Sequence, residues 1–156
     1  MLSRKVGMRY PRGVYWTIAQ VEAIVEEMFS SYLYRSSGIA MLLAFEDKIP
    51  VGTTCNMKWT DVDLSGDLVK VTCPTIKPAT RLLTPVTSRL LKEHYEDFHS
   101  FEYVLNHKGR YNGWAKLKLK TFYMVLYRTA KKLEFETLPP FSSLVEGAID
   151  EIKKEN

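Results

Sequence analysis

The sequence predicts an α+β fold, mostly helical, with one small antiparallel sheet. Three observations predict it. Capping-box patterns at Thr17–Gln20 and Ser143–Glu146 each open an apolar stripe of helical period. Between them, around residues 61–86, the period shortens to that of strands, and prolines and turn residues gather. The chain has 156 residues, 46% apolar and 26% charged, enough to bury a core without staples and too apolar for disorder.

Residues 1–16 read as a basic arm, with Arg4, Lys5, Arg9, Arg12, Pro11 and Gly13 and no helical period. Residues 17–156 read as the domain. Thr17 opens a helix whose stripe is Ile18, Val21, Ile24, Val25, Met28, Phe29 and Leu33, broken by Ser36-Ser37-Gly38. A second, more apolar helix from Ile39 to about Phe45 should be buried. Pro50 and Gly52 mark a break, and Thr53 to Lys58 reads as a short helix before Trp59.

Ser65-Gly66-Asp67 is a turn, and Leu68, Val69, Val71 and Thr72 form a strand. Pro74 and Pro78 bracket Thr75-Ile76-Lys77, which marks an edge strand or hairpin tip. Arg81 to Val86 returns as a strand, and Thr87 caps a helix through about Phe98. Tyr103-Val104-Leu105 is a short strand or buried connector, and Asn106 to Arg110 a loop. A long helix then runs from Trp114 to Leu133, and a last one opens at Ser143 with Leu144, Val145, Ala148, Ile149 and Ile152.

The net charge of +4 says less than its distribution. No Asp or Glu occurs from Tyr103 to Leu133, which holds Lys108, Arg110, Lys116, Lys118, Lys120, Arg128, Lys131 and Lys132. A second acid-free stretch, Leu68 to Lys92, holds Lys70, Lys77, Arg81, Arg89 and Lys92. Such segregation makes a one-sided positive field, the footprint of a polyanion partner, unless folding averages the signs out.

Several function classes find no support. No run approaches the ~18 apolar residues of a membrane span, and the charged N-terminus has no apolar run behind it, unlike a secretory signal. Cys55 and Cys73 are too few for a disulfide framework and read as reduced core residues of a cytoplasmic protein. His94 and His99 are five apart, off the spacing that aligns two ligands on a helix, so His94, His99 and His107 read as surface residues and no metal is expected. No glycine-rich phosphate loop and no acyl-transfer nucleophile motif is present, and no cofactor is implied.

The string Met57-Lys58-Trp59-Thr60-Asp61-Val62-Asp63, the pair Ile76-Lys77 followed by Arg81, and Leu126-Tyr127-Arg128-Thr129-Ala130-Lys131-Lys132 stand in an order that resembles the catalytic domain of the tyrosine recombinases, the lambda-type phage integrases. The resemblance covers roughly residues 17–135. It implies that fold, a DNA partner and an origin in a phage or other mobile element.

The departures bear on activity. In the family, two arginines, a lysine, two histidine-type positions and a tyrosine nucleophile act on one phosphodiester. Counting back from Trp59, the first arginine falls at about Pro50, and residues 46–52 contain none; Lys48 there lacks a guanidinium fork. The acid that follows falls near Thr53. No Arg or His follows Arg128, and the last tyrosine is Tyr127. Lys77 alone survives, as a vestige of the catalytic lysine.

The expectation is therefore a catalytically inactive, integrase-like protein that holds duplex DNA by its phosphates. Its candidate contacts are Lys77, Arg81, Arg110, Lys116, Lys118, Lys120, Lys131 and Lys132. Lys116, Lys118 and Lys120 alternate on the predicted helix, so at most two face one phosphate row. Lys77 equally suits an edge-strand guard, and Trp114 and Tyr111 suit either packing or stacking on the nucleic acid. The alternative is an interaction protein that reuses the fold to bind a host or phage protein. The C-terminal helix either packs on its own core or docks on a second copy, making a homo-oligomer.

Overall fold

The computed structural model describes residues 15–146, apart from Asn112. The first helix, α1 (Ile18–Phe29), starts where the capping box places it. Thr17 Oγ1 accepts from Gln20 N at 3.1 Å, and Gln20 Oε1 accepts from Thr17 N at 3.1 Å. Val21, Ile24, Val25 and Met28 form its buried stripe. The helix stops at Ser30, and a 3₁₀ turn (Tyr32–Tyr34) leads into α2 (Arg35–Asp47).

Ser36-Ser37-Gly38 is thus not the break. All three lie buried inside α2, where small residues let the helices close up. A Cβ on Gly38 would stand 3.2 Å from a ring carbon of Phe29 on α1. Ser36 Oγ also accepts from Asn106 N at 2.9 Å, tying α2 to a distant strand. The rest of α2 is as apolar as expected, with Ile39, Ala40, Met41, Leu43 and Ala44 all buried. This helix is the axis of the core: α1, α3, α4, α5 and the last 3₁₀ turn all touch it.

After α2, Pro50 stands at the N-cap of a short helix, α3 (Val51–Cys55), so Gly52 is helical rather than a break. Strands β1 (Val62–Asp63), β2 (Lys70–Thr72) and β3 (Thr80–Leu82) form the expected antiparallel sheet in that order. Val71 stands between Val62 and Arg81. Helix α4 (Pro85–Phe98) follows. Its cap is Thr84, not Thr87, with Pro85 in the first turn, where a missing N–H costs nothing.

A second hairpin lies beyond the predicted sheet. β4 (Asn106–Gly109) pairs with β5 (Gly113–Lys116). The first had been expected as a loop, the second as the first turn of a helix. Asn112-Gly113 is a strong hairpin-turn dipeptide in any sequence, and Gly113 has φ +73°. Helix α5 accordingly begins only at Leu119 and runs to Lys132. A 3₁₀ turn spans Phe141–Glu146, and the helix expected after Ser143 otherwise lies outside the described residues. The arm up to residue 14 lies outside them too. Trp16, assigned to that arm, belongs to the core. Its Nε1 donates to Pro140 O at 3.0 Å, and its ring meets Phe141 edge-on.

His94 also departs from expectation. It is 1% exposed and sits between Trp59 and Phe98. Nε2 donates to Val104 O at 2.7 Å, and Nδ1 is buried without a partner. Burial pulls its pKa down to about 4 from 6.5. The folded protein therefore binds fewer protons at His94 than the unfolded chain does between those values. Stability is complete above pH 6.5 and is lost as pH falls toward 4, by about 3 kcal/mol at ~1.36 kcal/mol per unit. His107, also depressed by burial, adds with the same sign. Urea unfolding at stepped pH should show this loss. In His94→Phe the slope should flatten, at lower stability near neutrality because Val104 O loses its donor.

Candidate nucleic-acid interface

The tip of the β2–β3 hairpin is the part of the sheet that reaches outward. Cys73 N donates to Ala79 O at 2.7 Å and Ile76 N to Cys73 O at 3.1 Å, which closes the tip on itself. Ile76 is buried and anchors it, while Lys77 is exposed. The bracketing prolines thus mark a tip rather than a pairing edge. Thr75 Oγ1 meets Thr53 Oγ1 at 3.3 Å, so the tip rests on α3.

Arg81, on β3, does not reach outward. Its Nη1 donates to Asp47 O at 2.9 Å and Lys48 O at 3.3 Å, its Nη2 to Lys77 O at 2.8 Å, and its Nε to Pro78 O at 3.3 Å. A guanidinium is suited to this because its donors fan out in one plane. The last carbonyls of α2 need partners, and a cation is favoured at that negative end. Arg81 is therefore a clamp between the hairpin tip and the end of α2, and its donors are committed to backbone. Its assignment as a free phosphate contact is corrected accordingly.

The same turn is fixed from the other side. Asp47 Oδ1 accepts from Thr84 N at 2.9 Å, and Oδ2 from Thr87 Oγ1 at 2.7 Å. The Asp47 carboxylate thereby supplements Thr84 at the N-terminus of α4. Burial raises its pKa, against the two threonine hydrogen bonds and the charges of Arg81 and Lys48. Lys48 itself closes α2 in the left-handed conformation, φ 60°, where glycine is the usual residue. Its Nζ folds back on Phe45 O at 3.2 Å.

The other predicted cations separate into two groups. Lys116 is not helical; it ends β5, donates to Asn56 Oδ1 at 2.5 Å and lies 4.9 Å from the Tyr103 ring centroid. Asn56 is the C-cap of α3, so Lys116 is tied to the end of that helix. Lys118 is the N-cap of α5 and Lys120 its second residue, both exposed. Arg110, exposed at the β4–β5 tip, stands beside Tyr111, which is 88% exposed and not packed away. Trp114, by contrast, packs in a ring cluster with Tyr32, Phe98 and Phe101. Lys131 and Lys132 lie at the far end of α5, about 20 Å from Lys118 at 1.5 Å per residue. Lys132 is paired with Glu27 of α1 and is not a free contact.

Lys108 is exposed on β4, a strand the sequence reading took for a loop. Asp47 was missed because no sequence signal marks a single acid as a joint. Both cysteines are buried and free. Burial pushes the Cys55 thiol up to about 11, so it is inert rather than nucleophilic. Among the described residues no three potential metal ligands gather, and no helix is long and apolar enough to cross a membrane.

No protein-family model matches the sequence, and no curated protein matches it. Solved structures do match the fold. The chain superposes on XerA recombinase with a TM-score of 0.63 at 16% identity, over 88% of this chain and 49% of that one. It superposes on lambda integrase residues 75–356, crystallised bound to DNA, with a TM-score of 0.59 at 21% identity, over 92% and 51%. The fold is that of the tyrosine recombinases. The chain spans about half the length of each of these recombinase structures.

Within the recombinase fold, the windows singled out by the resemblance come together. Thr53, on α3 just after its N-cap Pro50, touches the tip that carries Lys77. No arginine occupies the Pro50 window, and the nearest guanidinium, Arg81, is spent on carbonyls. The clamp predicts unequal costs for the two hairpin cations. Arg81→Ala should lose about 2–3 kcal/mol in urea unfolding, because it strips charge-assisted bonds from several carbonyls. Lys77→Ala should stay within about 0.5 kcal/mol. Equal costs would refute the clamp.

Proposed function

We propose that this chain binds duplex DNA through phosphate contacts and does not cleave it. The observation that carries the reading is the exposed Lys77 tip seated on α3, beside a Pro50 window that holds no arginine and an Arg81 spent on carbonyls. Lys77, Arg110, Lys118 and Lys120 are the contacts this arrangement favours, with Lys116 alongside. Lysines act there as point charges, which position a duplex without reading its sequence. Without an arginine to stabilise a pentavalent phosphate, the rate would fall by ~10²–10³ for each donor missing. The resemblance points to a phage or other mobile element, acting in the cytoplasm or nucleoid. A protein that reuses the fold to hold a protein partner would leave these cations idle.

Binding to a random duplex across a salt series tests this. About four phosphate contacts give a log–log slope of roughly −3 to −4, and Lys77→Ala should reduce it by about 1 for every sequence tried. A flat dependence, or no binding at low salt, would overturn the reading in favour of a protein partner. A nicked suicide substrate should leave no covalent protein–DNA adduct, and an adduct would refute the inactivity.

A further inference from the structure

The β4–β5 hairpin carries an aromatic ring that the fold does not use. The base of the hairpin is fixed. Asn106 N donates to Ser36 Oγ of α2 at 2.9 Å, and Leu117 N donates to Leu105 O at 2.9 Å. At the other end Gly109 pairs with Gly113, so Arg110 and Tyr111 lie beyond the last rung. Tyr111 is 88% exposed, more than any other large apolar residue among those described. The other rings of this region are spent inside the protein. Trp114 packs with Tyr32, Phe98 and Phe101, and Tyr103 lies beneath the Lys58 and Lys116 ammonium groups. Among the described residues, the Tyr111 ring meets the Arg110 guanidinium, 5.9 Å from its centroid, and no second ring. Hairpin turns favour Asn, Asp and Gly, so a tyrosine here does nothing for the turn.

We propose that Tyr111 stacks on an unpaired base, so that this chain prefers DNA with a gap or a frayed end over an intact duplex. The inference rests on the DNA-binding reading above and narrows its substrate. A phenol ring offers a flat apolar face, and every base has a face to match, whatever the sequence. In an intact duplex those faces are taken by neighbouring bases, and prising them apart is costly. At a gap or a frayed end one is open. Lys108 and Arg110, exposed on the same hairpin, supply charge for the flanking phosphates. Cations for the backbone beside a ring for the base are the combination that an unpaired segment needs.

The test compares an intact duplex with the same duplex carrying a short gap, its unpaired base replaced by fluorescent 2-aminopurine. The unaltered chain should bind the gapped DNA about tenfold tighter and quench the probe, as stacking does. Both affinities should fall as salt rises, while their ratio holds, because stacking releases no counterions. Tyr111→Ala should remove the preference and the quenching. Tyr111→Phe keeps the ring and should retain both. Tyr111 is exposed, so neither variant should disturb the fold. Equal affinity for the two DNAs, or a preference that Tyr111→Ala leaves intact, would overturn the stacking role and leave the duplex reading standing. Binding of neither DNA at low salt would overturn both, in favour of a protein partner.

Discussion

The structure turns on the end of α2. Within two residues, Asp47 and Lys48, the chain stops a buried helix, receives the guanidinium of a strand and supports the N-terminus of another helix. Helix ends leave carbonyls and N–H groups without partners, and burying them unpaired is costly. Here one end's carbonyls are satisfied by Arg81, and another helix's N–H by the Asp47 carboxylate. The left-handed Lys48 turn lets the backbone expose the carbonyls that Arg81 needs. The hairpin tip, α2 and α4 are thereby fixed together with few residues.

That economy has a consequence for function. The same clamp that orients the tip uses the charge that would otherwise be the strongest phosphate ligand on that face. What remains exposed is lysine at the β2–β3 tip and at the opening of α5, with Arg110 at the β4–β5 tip. In the proposed reading these cations hold a polyanion rather than stabilise a developing charge at one phosphorus.

Much of this was legible in the sequence, and the misses have physical causes. The capping box at Thr17, the apolar stretch of α2 from Ile39 and the proline-bracketed tip are local patterns, and each appeared where expected. The break at Ser36-Ser37-Gly38 was misplaced because small residues at a helix–helix contact look like a turn until the neighbouring Phe29 ring is known. Trp114–Lys116 became a strand because pairing with Asn106–Lys108 outweighs helix propensity. Lys132 and Arg81 lost their outward role to partners 105 and 34 residues away, which no local pattern reveals. His94 was taken for a surface residue because nothing in its spacing shows the aromatic rings that bury it.

The most direct test maps the DNA on the folded protein. A short duplex added to ¹⁵N-labelled chain should shift amides at residues 75–77, at 108–111 and at the start of α5, and leave the end of α2 unmoved because the clamp persists. Shifts confined to other faces, or none at low salt, would contradict a phosphate-binding face built around Lys77.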